Sequence, residues 1–334
     1  MKVRRSSALK TDEPGANRGA HHGAHRGAHQ GVNRSGDSLR IATYNIHKGV
    51  VREFFGLQRI ARIHELRARL HELDADLICL QEVLGRNDRY AKRFEQWPQE
   101  PQDQFLARPP GLKHTFETAY GKNATYLHGH HGNALLSRFP IMRRENRDVS
   151  DHVLEKRGIL HCVVRVGTRN VHMFVVHFGL LARSRERQAH ALIDWVQKAV
   201  PAHAPLIIAG DFNDWRNALS EQLREQIGVT EVFEQIKPKR AVMQRAAYFM
   251  HDRLSDMGVN VKRESFRMPR AVRTARTFPA LVPWLRMDRI YQRGFSVSWV
   301  GVPRGLEWAR ISDHSPLIAD LRLAAASEDR SEPI

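Results

Sequence analysis

Residues able to bind a metal or move a proton recur where apolar, strand-like runs end. Asn45 follows Ile41-Ala42-Thr43-Tyr44, Glu82 follows Leu77-Ile78-Cys79-Leu80-Gln81, and His177 follows Met173-Phe174-Val175-Val176. Asp211 and Asn213 come after Ile207-Ile208-Ala209-Gly210, Asp288 opens Arg289-Ile290-Tyr291, and Asp313-His314 stand just before the last apolar run. Singly, each has an ordinary explanation: a Glu after a strand solvates a loop, a His beside an apolar run is a satisfied structural histidine, and Asn or Asp near Gly makes turns. If the strand ends converge, the set becomes a cluster of carboxylates, amides and imidazoles at one rim. Oxygen donors of this kind suit Mg²⁺ or Mn²⁺ better than zinc, which takes more His and Cys.

Such convergence needs strands whose ends meet. Apolar runs rich in β-branched residues span 39–46, 77–83, 133–137, 159–166, 171–178, 206–209, 289–291, 295–300 and 317–321, each bounded by turn-forming residues. Leu57, Ile60, Ile63, Leu66, Leu70 and Leu73 recur at helical spacing, as do Ala189, Leu192, Ile193 and Val196 after a candidate N-cap at Ser184. Most strands follow one another without strict strand–helix alternation. That predicts an α/β sandwich of two sheets with helices outside. A third helical pattern runs from Ala241 to Gly258, read as a packed surface helix or, alternatively, as an amphipathic element touching lipid or an anionic substrate.

The 334 residues carry 53 Lys and Arg against 36 Asp and Glu, a net charge of +17 that makes anionic partners the natural expectation. Residues 1–38 hold a net +4 and residues 237–276 a net +8, which leaves +5 for everything else. The basicity therefore sits mainly in two segments outside the expected core. The first repeats Gly-Ala-Asn-Arg and Gly-Ala-His-His units, cannot build a core and is read as a disordered tail. No stretch has the ~20 apolar residues of a membrane span, nor the apolar segment of a signal peptide. Two cysteines, Cys79 and Cys162, lie inside apolar runs and read as buried reduced thiols, which fits a cytoplasmic location, peripheral to a membrane if the basic segments dock there.

Tyr44-Asn45-Ile46-His47, Leu80-Gln81-Glu82-Val83, Gly132-Asn133-Ala134-Leu135-Leu136-Ser137-Arg138, Val176-His177-Phe178, Gly210-Asp211-Phe212-Asn213, Met287-Asp288-Arg289-Ile290 and Ser312-Asp313-His314-Ser315-Pro316 together resemble the ordered signatures of the endonuclease/exonuclease/phosphatase (DNase I-like) superfamily. The resemblance covers residues 39–323, with a basic insert at about 237–275 and a polar tail at 324–334. It implies a four-layer α/β sandwich of two mixed β-sheets flanked by helices, and metal-dependent hydrolysis of a phosphoester. It makes Glu82 the principal carboxylate ligand of Mg²⁺ (or Mn²⁺), with Asn45 and Asp313 close to the metal or its water shell. Asp211 and Asn213 then position or activate water, His314, oriented by Asp288, contacts the scissile phosphate, and His177 stabilises the phosphate or assists the leaving group. Which of Asp211 and His314 takes the proton stays open at this point. Asn133 and Arg157 lie in family-like segments and either touch the phosphate or brace the site, with Arg157 equally readable as a surface cation, whereas His130 and His131 read as loop residues.

The physics suits the assignment, because cleaving a phosphoester builds negative charge that a divalent cation and an imidazolium counter. The repair-enzyme branch carries Asn-x-Asn-Gly at its first motif, where this chain has Asn45-Ile46-His47-Lys48-Gly49, and the core is only mildly basic. The expected substrate is thus a small or lipid-linked phosphoester. An endo- or exonuclease acting on DNA or RNA is the alternative, and a non-catalytic adaptor binding membrane or nucleic acid through the tail and insert is the alternative of another class.

Overall fold

In a computed structural model, two six-stranded sheets lie face to face, and the helices cover their outer faces. The structure describes residues 37–52, 58–108, 116–152, 155–236 and 275–325. The repeat tail, most of the basic insert with its 241–258 helical pattern, and the C-terminal nine residues lie outside the described residues.

The first sheet has the order β13 (Phe295–Gly301), β14 (Leu317–Leu323), β1 (Ser38–Asn45), β4 (Leu77–Asn87), β6 (Gly129–Ser137), β5 (Glu117–Tyr126). The second has the order β11 (Thr230–Glu231), β12 (Asp288–Arg293), β10 (Leu206–Asp211), β9 (Arg169–His177), β8 (Gly158–Val166), β7 (Ile141–Asp148). Each sheet is mixed, since β1 runs parallel to β4 and antiparallel to β14, and β10 runs parallel to β9 and antiparallel to β12. A small ribbon pairs β2 (Val50–Arg52) with β3 (Arg59–Ala61).

Alternation along the strands creates the layers. Ile41, Leu77, Cys79 and Leu135 of the first sheet meet Leu160, Cys162, Val175 and Ile207 of the second in one dry core. Their neighbours point outward: Ala42, Ile78 and Leu80 pack with Ile63, Leu66 and Leu70 of α1 (Ile63–Glu72) and with Phe105 of α3 (Gln102–Ala107). Phe174, Val176 and Ile208 likewise pack under Ala189, Leu192, Ile193 and Val196 of α4 (Ala182–Ala199) and Leu223 of α5 (Ser220–Ile227). Period-two strands buried on both faces and helices with one apolar stripe leave this four-layer arrangement as the solution. Cys79 and Cys162 are free thiols of the inner core, and burial pushes the Cys162 thiol up to about 12.

Several local expectations need correction. Ile60 belongs to β3, so the first helix starts only at Ile63. Ser184 lies inside the first turn of α4 and donates Oγ to Asp151 Oδ2 at 2.6 Å instead of capping the helix. His130 and His131 are on β6, not in a loop.

Asn133 joins the two sheets. It is fully buried on β6, and its Nδ2 donates to the carbonyls of Gly158 (2.9 Å) and Val175 (3.2 Å) on the facing sheet. Of its two expected roles, this geometry is that of a brace. Replacing it with Ala removes both bonds across the seam and leaves a void there, and we expect Asn133→Ala to lower stability by about 2–4 kcal/mol in urea unfolding.

Candidate active site

Strand register places three of the chemical residues side by side. Asp211, the last residue of β10, pairs with His177 at the end of β9 and with Asp288 at the start of β12. The preceding Gly210 has φ +154°, and a Cβ there would lie 1.9 Å from the Val176 carbonyl, so no larger residue fits this close approach. Asp211 Oδ1 accepts the Asn213 backbone N–H at 2.9 Å, while Asn213, at φ +50°, donates its Nδ2 to the Phe178 carbonyl at 2.9 Å. Oδ2 of Asp211 is the meeting point. It accepts Asn45 Nδ2 at 3.1 Å, bridging from the end of β1, and lies 3.7 Å from Nε2 of both His177 and His314.

His314 enters from the loop before β14. Ser312 fixes that loop, donating Oγ to the Asn45 carbonyl at 2.7 Å and accepting the His314 backbone N–H at 3.2 Å. Nδ1 of His314 is 2.8 Å from Asp288 Oδ2, and the Phe278 ring lies 4.9 Å from the imidazole. Both ring nitrogens thus face carboxylates, which is the environment of an imidazolium. Burial opposes that charge, but Asp288 and Asp211 outweigh it and push His314 up to about 10. Burial pushes Asp211 up to about 6; His314 opposes the rise and Asp288 adds to it. His177 is displaced the other way, held neutral by burial and by the nearby charge of Arg157.

The remaining carboxylates gather beside this triad. Glu82 sits at φ +57° where the β4–β6 ladder shifts register between Leu80 and Val83, a bulge that redirects its side chain out of the strand alternation. Its Oε2 takes the Lys48 ammonium at 2.8 Å. Burial would raise its pKa, yet Lys48 first and His47 with it hold the carboxyl well below the usual range, so it is ionised. Asp313, more exposed, pairs through Oδ2 with His47 Nδ1 at 3.3 Å. His47 and Lys48 both adopt positive φ in the short turn 47–49 that follows Asn45.

This donor set fits a hard divalent cation. Glu82 is an ionised, inward-turned carboxylate already carrying a cationic group in the form of Lys48, with Asp313 and the Asn45 amide as further oxygen donors. Ligand atoms of Asp211, Asp288 and His314 also lie within 4.8 Å of one another. In that trio, however, Nδ1 of His314 is already engaged by Asp288 and Nε2 faces Asp211, whereas the set around Glu82 offers carboxylate and amide oxygens of the kind a hard cation takes.

The structure thus brings Asn45, Glu82, His177, Asp211, Asn213, Asp288, Asp313 and His314 to one rim, while Asn133 lies in the seam behind it. Arg157 braces the same rim: its Nε donates to the Phe178 carbonyl at 3.1 Å, the acceptor Asn213 also uses, and it pairs with Glu155 at 2.9 Å. Beside Glu82 opens a cleft of about 670 Å³ lined by Lys48, Tyr126, His131, Lys156 and Arg157. Sequence reasoning missed Lys48, His47, Ser312 and the cleft-facing His131. His47 and Ser312 stand inside the quoted motifs without a role assigned to them and Lys48 follows one directly, a proximity that was the available signal.

The Endonuclease/Exonuclease/phosphatase family pattern matches residues 42–314, which brackets every one of these groups. The chain belongs to the endonuclease/exonuclease/phosphatase family. It is 36% identical to YbhP of Escherichia coli (strain K12) over 291 residues, covering 86% of this chain and 97% of that protein. Among solved structures, TDP2 of D. rerio complexed with a single-strand DNA product matches with a TM-score of 0.54 at 16% identity, over 85% of this chain and 99% of that one. A mannosyl-6-phosphatase of Bacteroides thetaiotaomicron matches with a TM-score of 0.55 at 15% identity, over 85% and 99%. These two likenesses concern the fold. Membership in the endonuclease/exonuclease/phosphatase family supports hydrolysis of phosphoester bonds, with a divalent metal as the family's general cofactor.

Proposed function

We propose that the protein is a Mg²⁺- or Mn²⁺-dependent phosphoester hydrolase that uses an activated water on a small or lipid-linked phosphoester. The observation that carries this reading is His314 held between Asp288 and Asp211 beside an ionised Glu82. In this reading Glu82, Asn45 and Asp313 hold the cation, which when bound neutralises charge on the phosphate and leaving oxygens.

The other residues divide the work. With both ring nitrogens facing acceptors, His314 is a donor to a non-bridging phosphate oxygen and has no free lone pair to serve as base. That leaves Asp211 to take the water's proton as the water oxygen attacks phosphorus. The ester P–O bond breaks, and the departing oxygen is protonated from solvent. Burial has moved Asp211 up toward the working pH, which suits a general base. Asn213 keeps the Asp211 carboxylate in orientation through its backbone N–H. Neutral, buried His177 lines the site as a hydrogen-bonding partner of substrate or leaving group.

The test is a substrate panel of bis-p-nitrophenyl phosphate, single- and double-stranded DNA, RNA, sphingomyelin, phosphoinositides and cardiolipin, each with Mg²⁺, with Mn²⁺ and with chelator. We expect metal-dependent turnover of the small diester or a lipid, abolished by chelator. Turnover that survives chelation, or none on any phosphoester, contradicts the mechanism. Turnover confined to DNA or RNA makes the protein a nuclease. Salt-dependent binding without turnover identifies an adaptor.

A further inference from the structure

The exposed large apolar side chains are concentrated. Of ten such residues among those described, eight lie on or directly beside four loops at the catalytic rim; the others are Met142 on β7 and Leu306 at the start of α7 (Leu306–Ala309). Each loop is tied to the site by a contact. Tyr126 lines the cleft with Glu82 and Lys48, and Leu127, the next residue, is 91% exposed at the β5–β6 tip. Leu180 and Leu181 follow His177-Phe178-Gly179 and line the same cleft. Trp215 follows Asn213 closely and lies 5.0 Å under the Arg185 guanidinium, which also donates to the Leu180 carbonyl. Leu281, Val282 and Trp284 extend from a loop rooted on Phe278, whose carbonyl accepts the N–H groups of Trp284 (3.0 Å) and Leu285 (2.8 Å) and whose ring packs on His314.

Exposing this much aliphatic and indole surface around one cleft is costly in water and marks an interaction face. Its charge is positive. Lys156 and Arg157 line the cleft, and exposed Arg183 and Arg216 stand beside Leu181 and Trp215. The acids that line the cleft, Glu82 and Glu155, are already paired with Lys48 and Arg157. Separate apolar tips with arginines at their base match a bilayer surface, where Leu, Val and Trp enter the acyl boundary and cations meet anionic headgroups. A nucleic acid would instead favour aromatic platforms for stacking, which Leu127, Leu180, Leu181, Leu281 and Val282 do not offer.

We propose that the catalytic rim is a docking face for an anionic bilayer, presenting the cleft to phosphoesters carried by lipid. The substrate clause rests on the hydrolase reading above; the docking face stands on the apolar tips themselves. It differs from docking through the tail or insert, because it orients the active site toward the membrane.

The full chain is mixed with phosphatidylcholine vesicles with and without phosphatidylglycerol, and partitioning is read by sedimentation. Expected is binding that requires phosphatidylglycerol and falls by about tenfold for Leu127→Asp and again for Trp284→Asp, whose side chains lie outside the catalytic groups. Hydrolysis of soluble bis-p-nitrophenyl phosphate by both variants stays at the wild-type rate. Acyl-chain-brominated lipid should quench Trp fluorescence in the wild type and quench it less in Trp284→Leu. Vesicle binding that ignores both Asp substitutions and leaves Trp284 unquenched means attachment by the basic segments alone and overturns the proposal. So does absence of vesicle binding, or single-stranded DNA binding that the same substitutions abolish in its place. Vesicle binding with the expected losses but no hydrolysis of the soluble diester keeps the docking face and removes the substrate clause.

Discussion

Asp211→Asn is expected to cut metal-dependent turnover by about a thousandfold or more while leaving metal affinity and folding near wild type. The substituted amide keeps the size of the side chain and its one oxygen can still accept the Asn213 N–H that holds the loop, while the bond from Asn45 Nδ2 is lost. It loses the ability to accept a proton from water, and it removes one of the two carboxylates that charge His314. Stability should hold or rise. Burial lifts the Asp211 pKa from 3.8 to about 6, so the folded state disfavours the ionised carboxylate relative to the unfolded chain, and this cost is felt as pH rises past the unfolded value. Removing the charge removes that cost, a common trade between activity and stability. Steady-state kinetics on the soluble diester, metal titration calorimetry and urea unfolding read the three quantities separately. Wild-type turnover by Asp211→Asn would exclude Asp211 as the base.

Glu82→Gln should fail differently. Here turnover falls at least about a hundredfold and the affinity for Mg²⁺ or Mn²⁺ falls with it, because an ionised oxygen donor becomes a neutral amide. Lys48 loses its carboxylate partner in the same step. Raising the metal concentration should restore part of the Glu82→Gln activity and none of the Asp211→Asn activity. That contrast, seen by calorimetry and by kinetics at graded metal, separates a ligand from a base. Unchanged metal affinity in Glu82→Gln would place the cation elsewhere, with the Asp211, Asp288 and His314 trio the first position to probe.

The site was legible because its residues stand at strand ends, where apolar periodicity stops and a single polar residue begins. Strand register then does the rest, setting His177, Asp211 and Asp288 side by side without any signal beyond their positions in three runs. Two edge strands, β5 and β7, were not legible. β7, Ile141-Met142-Arg143-Arg144-Glu145-Asn146-Arg147-Asp148, is largely exposed and polar, and β5 is an edge strand of mixed composition, so neither shows an apolar run or a clean alternation. Charged edges of this kind resist pairing with other chains, and that use erases the hydrophobic signature of a strand. Lys48 and His131 were missed for another reason. Their importance lies in contacts made across the fold, to Glu82 and to the cleft, and a Lys or His in isolation reads as solvated surface.

The division of the site between the sheets has a mechanical consequence. Asn45 and Glu82 ride on one sheet and the loop carrying Asp313 and His314 leads into it, whereas His177, Asp211 and Asp288 ride on the other, and the short links between the halves, residues 138–140 between β6 and β7 and Gly294 between β12 and β13, lie at the strand ends away from these groups. The distance from proton acceptor to cation seat is therefore gauged by the thickness of the apolar seam, with Asn133 as its clamp near the rim. Core side chains such as Leu135, Leu160 and Val175 act as spacers in a ruler, and a methylene more or less there changes the alignment of two half-sites it never touches. The catalytic alignment is thus a property of the packing between the sheets as much as of the hydrogen bonds within either one.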